Sequence, residues 1–201
     1  MRLYGSEISP FVRKVRLVIA ELGLANQVEL VMTEGAATDV DPGERGKAPL
    51  RKVPFLEIDG GRIVFDSSVI CQHLAMVAPG QSLLPLSGWG RIDALTREAL
   101  ADGLCDAAVL STYETRLRPE DKQWPDWIEG QWRKILGALD AMEKAPPPGW
   151  RFDLGDCAWA AALLHLDLRF PMRNWRDGRP RLQSWFETAR ARRSVKIFLP
   201  E

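Results

Sequence analysis

Three short segments in the first third of the chain carry groups able to do chemistry. Ser9-Pro10 stands where a strand hands over to a helix. The first N–H groups of a helix have no intrahelical partner and the end carries a partial positive charge, so an anion such as a thiolate is favoured there. A serine hydroxyl at that point can donate a hydrogen bond to the anion, although capping the helix accounts for Ser9 equally well when it is read by itself. Val53-Pro54 opens an apolar run. Proline cannot donate to a sheet ladder and belongs at an edge, a bulge or a strand start. A cis bond there would turn the backbone of Val53 outward and leave its N–H and C=O to a peptide ligand, but for an X-Pro bond taken alone trans is the ordinary expectation. Asp66-Ser67 begins another helix, where Ser67 and the adjacent N–H groups can hold a carboxylate while Asp66 pairs with an ammonium. Together they would grip the zwitterionic end of an amino acid; read alone, the pair is an N-cap.

What is missing matters as much. No cysteine lies at or near Ser9. Cys71, Cys105 and Cys157 are odd in number and tens of residues apart, each in an apolar, helix-like context. They form no CxxC redox pair or zinc knuckle and are expected to be reduced, buried thiols. With His73 and His165 the only histidines, a metal site is not expected. Any thiol chemistry must arrive with a cosubstrate.

The elements that would position these residues can be read from the spacing. Met1–Tyr4 reads as a strand, and Ser9-Pro10 opens a helix with apolar residues at Phe11, Val15, Val18, Ile19 and Leu22 and a stop at Gly23. Pro10 suits a first turn, where its missing N–H has no partner. Val28–Met32 is a second strand, followed by a loop from Thr33 to Gly46. Val53–Ile58 and Arg62–Phe65 flank Asp59-Gly60-Gly61 as a hairpin. Asp66-Ser67-Ser68 then caps a helix through Val69, Ile70, Cys71, Leu74 and Ala75 that ends before Pro79. This order predicts a small α/β domain over residues 1–78 with one mixed sheet. Residues 79–90, rich in Pro, Gly and Ser, read as a linker.

Beyond it strand signals nearly vanish. Ile92, Leu95, Ala99, Leu100, Gly103, Leu104 and Ala107 recur at helical spacing to about Glu114. A second helix carries Ile128, Trp132, Ile135, Leu136, Leu139 and Met142 and ends at Pro146-Pro147-Pro148-Gly149. A third runs from Asp153 to about Arg169, and a fourth holds Leu182, Trp185, Phe186 and Ala189. Residues 91–201 are thus expected to form an all-α bundle. Large tryptophans such as Trp124, Trp127, Trp132 and Trp185 fit either its core or an interface.

Composition excludes several classes. The 201 residues include 27 Lys+Arg and 27 Asp+Glu, so the net charge is zero. A nucleic-acid or anionic-membrane binder would need a basic excess. The longest apolar stretch, Cys157 to Leu164, falls far short of the roughly 18 residues of a membrane span. MRLYGSEISP has no h-region of a signal peptide, which makes the cytoplasm the expected location.

The run SPFVRKVR, then KVPFLEIDGGRIVFDSSVI, then a helical second half, resembles the cytosolic glutathione S-transferase superfamily over essentially the whole chain, in a bacterial form with a Ser-Pro-Phe signature. Ala101-Asp102-Gly103 and the run from Tyr113 to Glu120 look like a helix segment of such members, and Asp153-x-x-Asp156 falls at the superfamily's helix-capping box. The resemblance implies a thioredoxin-like α/β N-terminal domain holding glutathione, plus an all-α C-terminal helical bundle that supplies most of a second-substrate pocket. Leu104, Ala108 and Tyr113 are candidates for that pocket, though apolar residues at helical spacing are more often plain core. By position, Ser9 matches the residue that contacts the glutathione sulfur, and Phe11 lines the same site. Val53 matches the residue whose backbone pairs with the cysteinyl part, Pro54 the cis-proline, and Asp66 and Ser67 the pair that grips the γ-glutamyl group.

The chain departs from its relatives at four positions. Asp66 stands where many have Glu or Gln, and Arg51 where Gly commonly precedes Lys-Val-Pro. Ser9 stands where thiol-reducing, omega-like members have Cys, and Asp153 replaces a hydroxyl cap. The implied activity is that of a cytoplasmic, homodimeric, detoxifying transferase. Glutathione would be its cosubstrate, no further cofactor would be needed, and the acceptor would be a small hydrophobic electrophile or a peroxide; nucleic acid and membrane are not expected partners. A different class, interaction proteins of the stringent-starvation-regulator type, uses the same fold as a docking surface, and a third reading is a carrier of apolar ligands. Retention of Ser9, Val53-Pro54 and Asp66-Ser67 together favours the enzyme.

Overall fold

The computed structural model describes residues 1–33, 35–78, 80, 82–147 and 152–199. The chain divides into two compact units, Met1–Ala94 and Leu95–Glu201.

The first unit contains strand β1 (Arg2–Gly5), helix α1 (Pro10–Glu21), strands β2 (Glu29–Met32), β3 (Phe55–Glu57) and β4 (Ile63–Val64), and helix α2 (Ser67–Val77). The strands form one mixed sheet in the order β2-β1-β3-β4. β1 and β2 are parallel and therefore need a crossover, which α1 supplies. β3 and β4 are antiparallel neighbours joined through Asp59–Gly61, where Gly60 (φ 76°) and Gly61 (φ 73°) take the left-handed conformations a tight hairpin demands. This is the single mixed sheet expected from the spacing, and the thioredoxin-like one that the resemblance implies. The β3 ladder starts at Phe55 rather than Val53, consistent with the missing N–H of Pro54.

α1 begins with Ser9 as N-cap and Pro10 in its first turn, and it stops where Gly23 adopts φ 68°. It is buried around more of its circumference than an amphipathic stripe predicts: Val12, Arg13, Lys14, Val15, Leu17, Val18 and Ile19 are all buried, while Phe11 is half-exposed. α1 packs on α2, and α2 on β3.

The sheet face carrying Tyr4 and Phe55 packs with Ala48, and the two rings stack at 4.5 Å. The Tyr4 hydroxyl donates to Glu57 Oε2 at 2.7 Å and accepts from Lys47 Nζ at 2.9 Å, which fastens the short 3-10 turn Gly43–Lys47 to the sheet. That hydrogen bond from Tyr4, aided by Arg2, holds the Glu57 carboxyl below its usual range. Hydrogen bonding to Glu44, then to Tyr4, raises Lys47.

Arg51 follows at φ 52°, the left-handed region. An L side chain is strained there and glycine is not. This gives the physical reason for a glycine at that position in resembling chains.

Helix α3 spans Trp89–Arg116, its residues from Leu95 onward belonging to the second unit. That unit continues with α4 (Pro125–Lys144), α5 (Leu154–Arg169), α6 (Pro180–Arg190) and the short α7 (Arg193–Lys196), which the spacing had not signalled. α6 packs on α4, α5 and α7. The predicted stops at Pro79, Pro148 and Gly149, and Gln81 of the linker, lie outside the described residues. Trp132 and Trp185 are core residues, each edge-on to another ring, whereas Trp124 and Trp127 are 60% and 41% exposed. Cys71, Cys105 and Cys157 are buried. Among the described residues no helix is long and apolar enough to cross a membrane.

α5 starts from a capping box. Asp153 accepts from the N–H groups of Gly155 and Asp156, and Asp156 accepts in return from the N–H of Asp153. Arg97 of α3 binds both carboxylates, Asp153 at 2.5 Å and Asp156 at 2.9 Å, and Trp159 Nε1 donates to the Arg97 carbonyl. Burial pushes Asp156 up from 3.8 to about 6, with the adjacent Asp153 charge adding to the effect.

Two outcomes follow. Arg51→Gly relieves left-handed strain of about 1–2 kcal/mol against an unfolded-chain entropy cost of about 0.4–1 kcal/mol. Denaturant titration should therefore show a net gain of about 0.5–1 kcal/mol; a loss would show that Arg51 makes a compensating contact. Asp156 has a raised folded pKa, so its protonated form stabilises the fold at low pH and that contribution is lost as pH rises from about 4 to about 6. The stability advantage of wild type over Asp156→Asn should thus shrink by up to about 3 kcal/mol across this window. An advantage that stays flat with pH would place the carboxyl at its ordinary value.

Candidate functional site

The strand register brings the three sequence-predicted segments to one end of the sheet. Tyr4 lies opposite Phe55, so the C-terminal end of antiparallel β1 meets the N-terminal end of β3. Leu56 lies opposite Val64, so the C-terminal end of β4 arrives there too. The turn from Gly5 to Ser9, the residues Val53-Pro54, and Asp66-Ser67 all leave the sheet from this end. Gly5 lets α1 start close against β1: a Cβ on it would lie 2.7 Å from both Val12 methyl carbons.

Ser9 is half-buried as the N-cap of α1. Its Oγ accepts from the N–H of Val12 at 3.4 Å, which engages an acceptor lone pair and leaves the O–H proton as a donor. Its backbone is held on both sides, the N–H donating to Ser6 O and the carbonyl accepting from Arg13 N. Arg13 Nε also donates to the Glu7 carbonyl, fixing the turn. Phe11 is half-buried in the first turn of the same helix.

Pro54 is buried and Val53 half-buried, and the bond between them is cis. Among the described residues no hydrogen bond engages the N–H or C=O of Val53. The Phe65–Asp66 bond is also cis, a feature no residue type announces.

Asp66 is the exposed N-cap of α2, and one carboxylate oxygen accepts from Ser68 N at 3.0 Å and Val69 N at 3.5 Å. Ser67 is buried in the first turn. Lys14, which the sequence reading passed over, is only 1% exposed, and its Nζ reaches Ser68 Oγ at 3.5 Å, tying α1 to the start of α2. No residue type signalled this burial, which Lys14 shares with Arg13 on the same helix. Of the residues singled out in the second unit, Leu104 and Ala108 are core, while Tyr113 is 43% exposed.

The first unit thus offers two helix N-termini, a hydroxyl donor, a carboxylate and an unpaired stretch of strand backbone at one end of the sheet. That set suits an extended ligand with peptide groups, an amino-acid terminus and an anionic atom.

The comparisons with known proteins agree in kind. Residues 3–82 match the family model described as "Glutathione S-transferase, N-terminal domain", and residues 125–188 match "Glutathione S-transferase, C-terminal domain". The chain is 31% identical over 198 residues to the uncharacterized GST-like protein YibF of Escherichia coli, covering 96% of each chain. It is 36% identical to a glutathione transferase family member from Pseudomonas fluorescens crystallised with bound glutathione, with a TM-score of 0.95 over 100% of this chain and 98% of that one. A glutathione S-transferase from Methylobacterium radiotolerans, in complex with glutathione sulfonate, is 36% identical with a TM-score of 0.86, covering 99% of this chain and 94% of that one.

Proposed function

The chain belongs to the glutathione S-transferase superfamily, and from that premise we propose that it binds reduced glutathione and activates its thiol through Ser9 for attack on a small hydrophobic electrophile or a peroxide. The observation that carries the proposal is the shared sheet end, where the Ser9 hydroxyl donor, the unengaged Val53 backbone and the α2 N-terminus meet by register. Glutathione bound to the similar Pseudomonas protein supports the choice of ligand.

In this reading Val53 pairs through its backbone with the cysteinyl part of glutathione, beside Pro54 and Phe11. Ser67 and the first N–H groups of α2 hold the γ-glutamyl carboxylate, and Asp66 faces its ammonium. The sulfur then sits at the N-terminus of α1 within reach of Ser9. A cysteine thiol with a pKa of about 8.5 is only about 3% thiolate at neutral pH. Lowering that pKa by about two units takes about 2.7 kcal/mol of preferential thiolate binding. A charge-assisted hydrogen bond from Ser9 contributes roughly 1.5–3 kcal/mol and the helix end roughly 0.3–1 kcal/mol, which is enough. The sulfur forms its new bond to the electrophilic carbon as the leaving group departs with the bonding pair, and no further cofactor is required.

The domain roles go with this reading: residues 1–78 hold glutathione, 79–90 link, and 91–201 form the helical domain. A cytoplasmic homodimer is the proposed working form, which the exposed apolar side chains Phe65, Val69, Met76 and Val77 support.

Calorimetric titration with reduced glutathione near neutral pH should show saturable binding in the micromolar to low-millimolar range. No binding would reject the transferase and favour the docking-protein class. Ser9→Ala should keep the fold, at a cap cost of about 1 kcal/mol or less, and still bind glutathione while losing most conjugation of a chloronitroarene probe. Unchanged turnover would remove Ser9 from the mechanism. Asp66→Asn keeps an N-cap of equal quality, so stability should stay within about 0.5 kcal/mol, while glutathione affinity falls several-fold. Unaltered affinity would leave Asp66 a cap and nothing more.

A further inference from the structure

Arg51, at φ 52°, is the one non-glycine residue with positive φ among the described residues. The turn that leads from Gly43–Lys47 toward β3 fixes this conformation, with Arg51 N donating to Ala48 O at 2.9 Å. The side chain returns nothing to the fold. Arg51 is exposed, and among the described residues its guanidinium has no hydrogen bond, ion pair or ring contact. Two cations just before it are committed: Arg45 binds Asp39 and the Ala36 carbonyl, and Lys47 binds Glu44 and Tyr4. A strained residue without a structural partner is the kind found at ligand clamps, where the strain serves function.

Its place in the chain says which part of a ligand it would meet. Arg51 stands two residues before Val53, whose N–H and C=O are both unengaged among the described residues. β4 pairs with β3 as Val64 with Leu56, and that register continued past Val64 brings Asp66 level with Pro54. A peptide whose amino-acid terminus lies at Asp66-Ser67 thus has that end beside Pro54 and its middle residue beside Val53. Its far end runs toward Lys52 and Arg51. This direction is antiparallel to β3, so one ligand residue can exchange both hydrogen bonds with Val53. At about 3.4 Å per residue the terminal carboxylate comes level with Lys52, within reach of the long Arg51 side chain.

We propose that Arg51 is a specificity-determining residue that holds the glycyl carboxylate of glutathione and so distinguishes the free tripeptide from one whose glycyl end is blocked as an ester or amide. The inference rests on the glutathione reading above and adds the charge selectivity of one end of that site. The guanidinium fork matches a carboxylate in shape and charge, and an ester offers it no anion. Stability is given up at this position and affinity gained, so replacing Arg51 should move the two in opposite directions.

The test is calorimetric titration of the whole chain with reduced glutathione and with its glycyl monoethyl ester. Wild type should prefer the free acid. Arg51→Gly and Arg51→Gln should each weaken glutathione about three- to fivefold, the range of an exposed charge pair, and leave the ester within about twofold. Arg51→Lys, which keeps the charge, should retain most of the preference. Raising salt from 50 to 500 mM should narrow the wild-type preference by screening. Arg51→Gly should also resist denaturant at least as well as wild type, a combination that damage to the fold cannot produce. Equal losses for both ligands, or an unchanged preference in Arg51→Gly and Arg51→Gln, would overturn the role of Arg51 while leaving glutathione binding intact. Failure of wild type to bind either ligand would remove the glutathione reading and this inference with it.

Discussion

The antiparallel pairing of β3 with β1 is the constraint on which the rest of the first unit depends. Had β3 run parallel, Val53-Pro54 would emerge at the opposite end of the sheet from Ser9, and no ligand of peptide size could touch both. The pairing is pinned by its side chains. Tyr4 and Phe55 face the same side and stack, while Leu3 and Leu56 are buried on the other. A slip of one residue would exchange these faces and expose both pairs to the wrong neighbours. The Tyr4 hydroxyl reinforces the register by reaching Glu57, two residues along β3, and Lys47, on the segment that leads into it. A side chain remote from the proposed chemistry thereby holds the backbone that would meet the ligand.

The same local device, a polar side chain capping a helix, appears three times with different consequences. Asp153 caps α5 with its carboxylate buried and shared with Arg97, so its hydrogen-bonding capacity is consumed within the fold. Ser9 caps α1 from a half-buried position and engages only one acceptor lone pair, so its proton stays available. Asp66 caps α2 from an exposed position, and a single oxygen, Oδ1, accepts both of its hydrogen bonds to the helix. Capping and ligand binding are therefore not competing explanations at Ser9 and Asp66. The cap orients each side chain, and exposure decides whether anything remains to give a ligand.

Much of this was legible in the residues. Pro10 and Gly23 delimit α1, Asp59-Gly60-Gly61 turns the hairpin, and Asp153 with Asp156 marks the start of α5, because each requirement is local and few residue types meet it. The three site segments were legible as helix caps and a strand start, and their convergence came only from the resemblance, since register is a property of pairs of strands far apart in sequence. Lys14 was not legible as buried, because a lysine in an amphipathic helix is ordinarily assigned to solvent; here α1 is enclosed on most sides. Trp124 and Trp127 were equally open to core and surface, since aromatic area does not say what covers it. Arg51 shows the converse case. The sequence departs from glycine where the backbone is left-handed, and only the dihedral angle shows why glycine belongs there.

Arginines of the second unit build closed charge clusters that hold its segments in place. At Arg97 the guanidinium is committed to two carboxylates that themselves cap a helix, and the cluster is closed: each charge has an opposite neighbour and the neighbours are buried. Asp167 closes a similar group with Arg176 and the indole N–H of Trp175. The Arg97 group locks α3 to the start of α5, and the Asp167 group ties α5 to the segment that follows it, so both arginines are spent on the fold rather than left for a ligand.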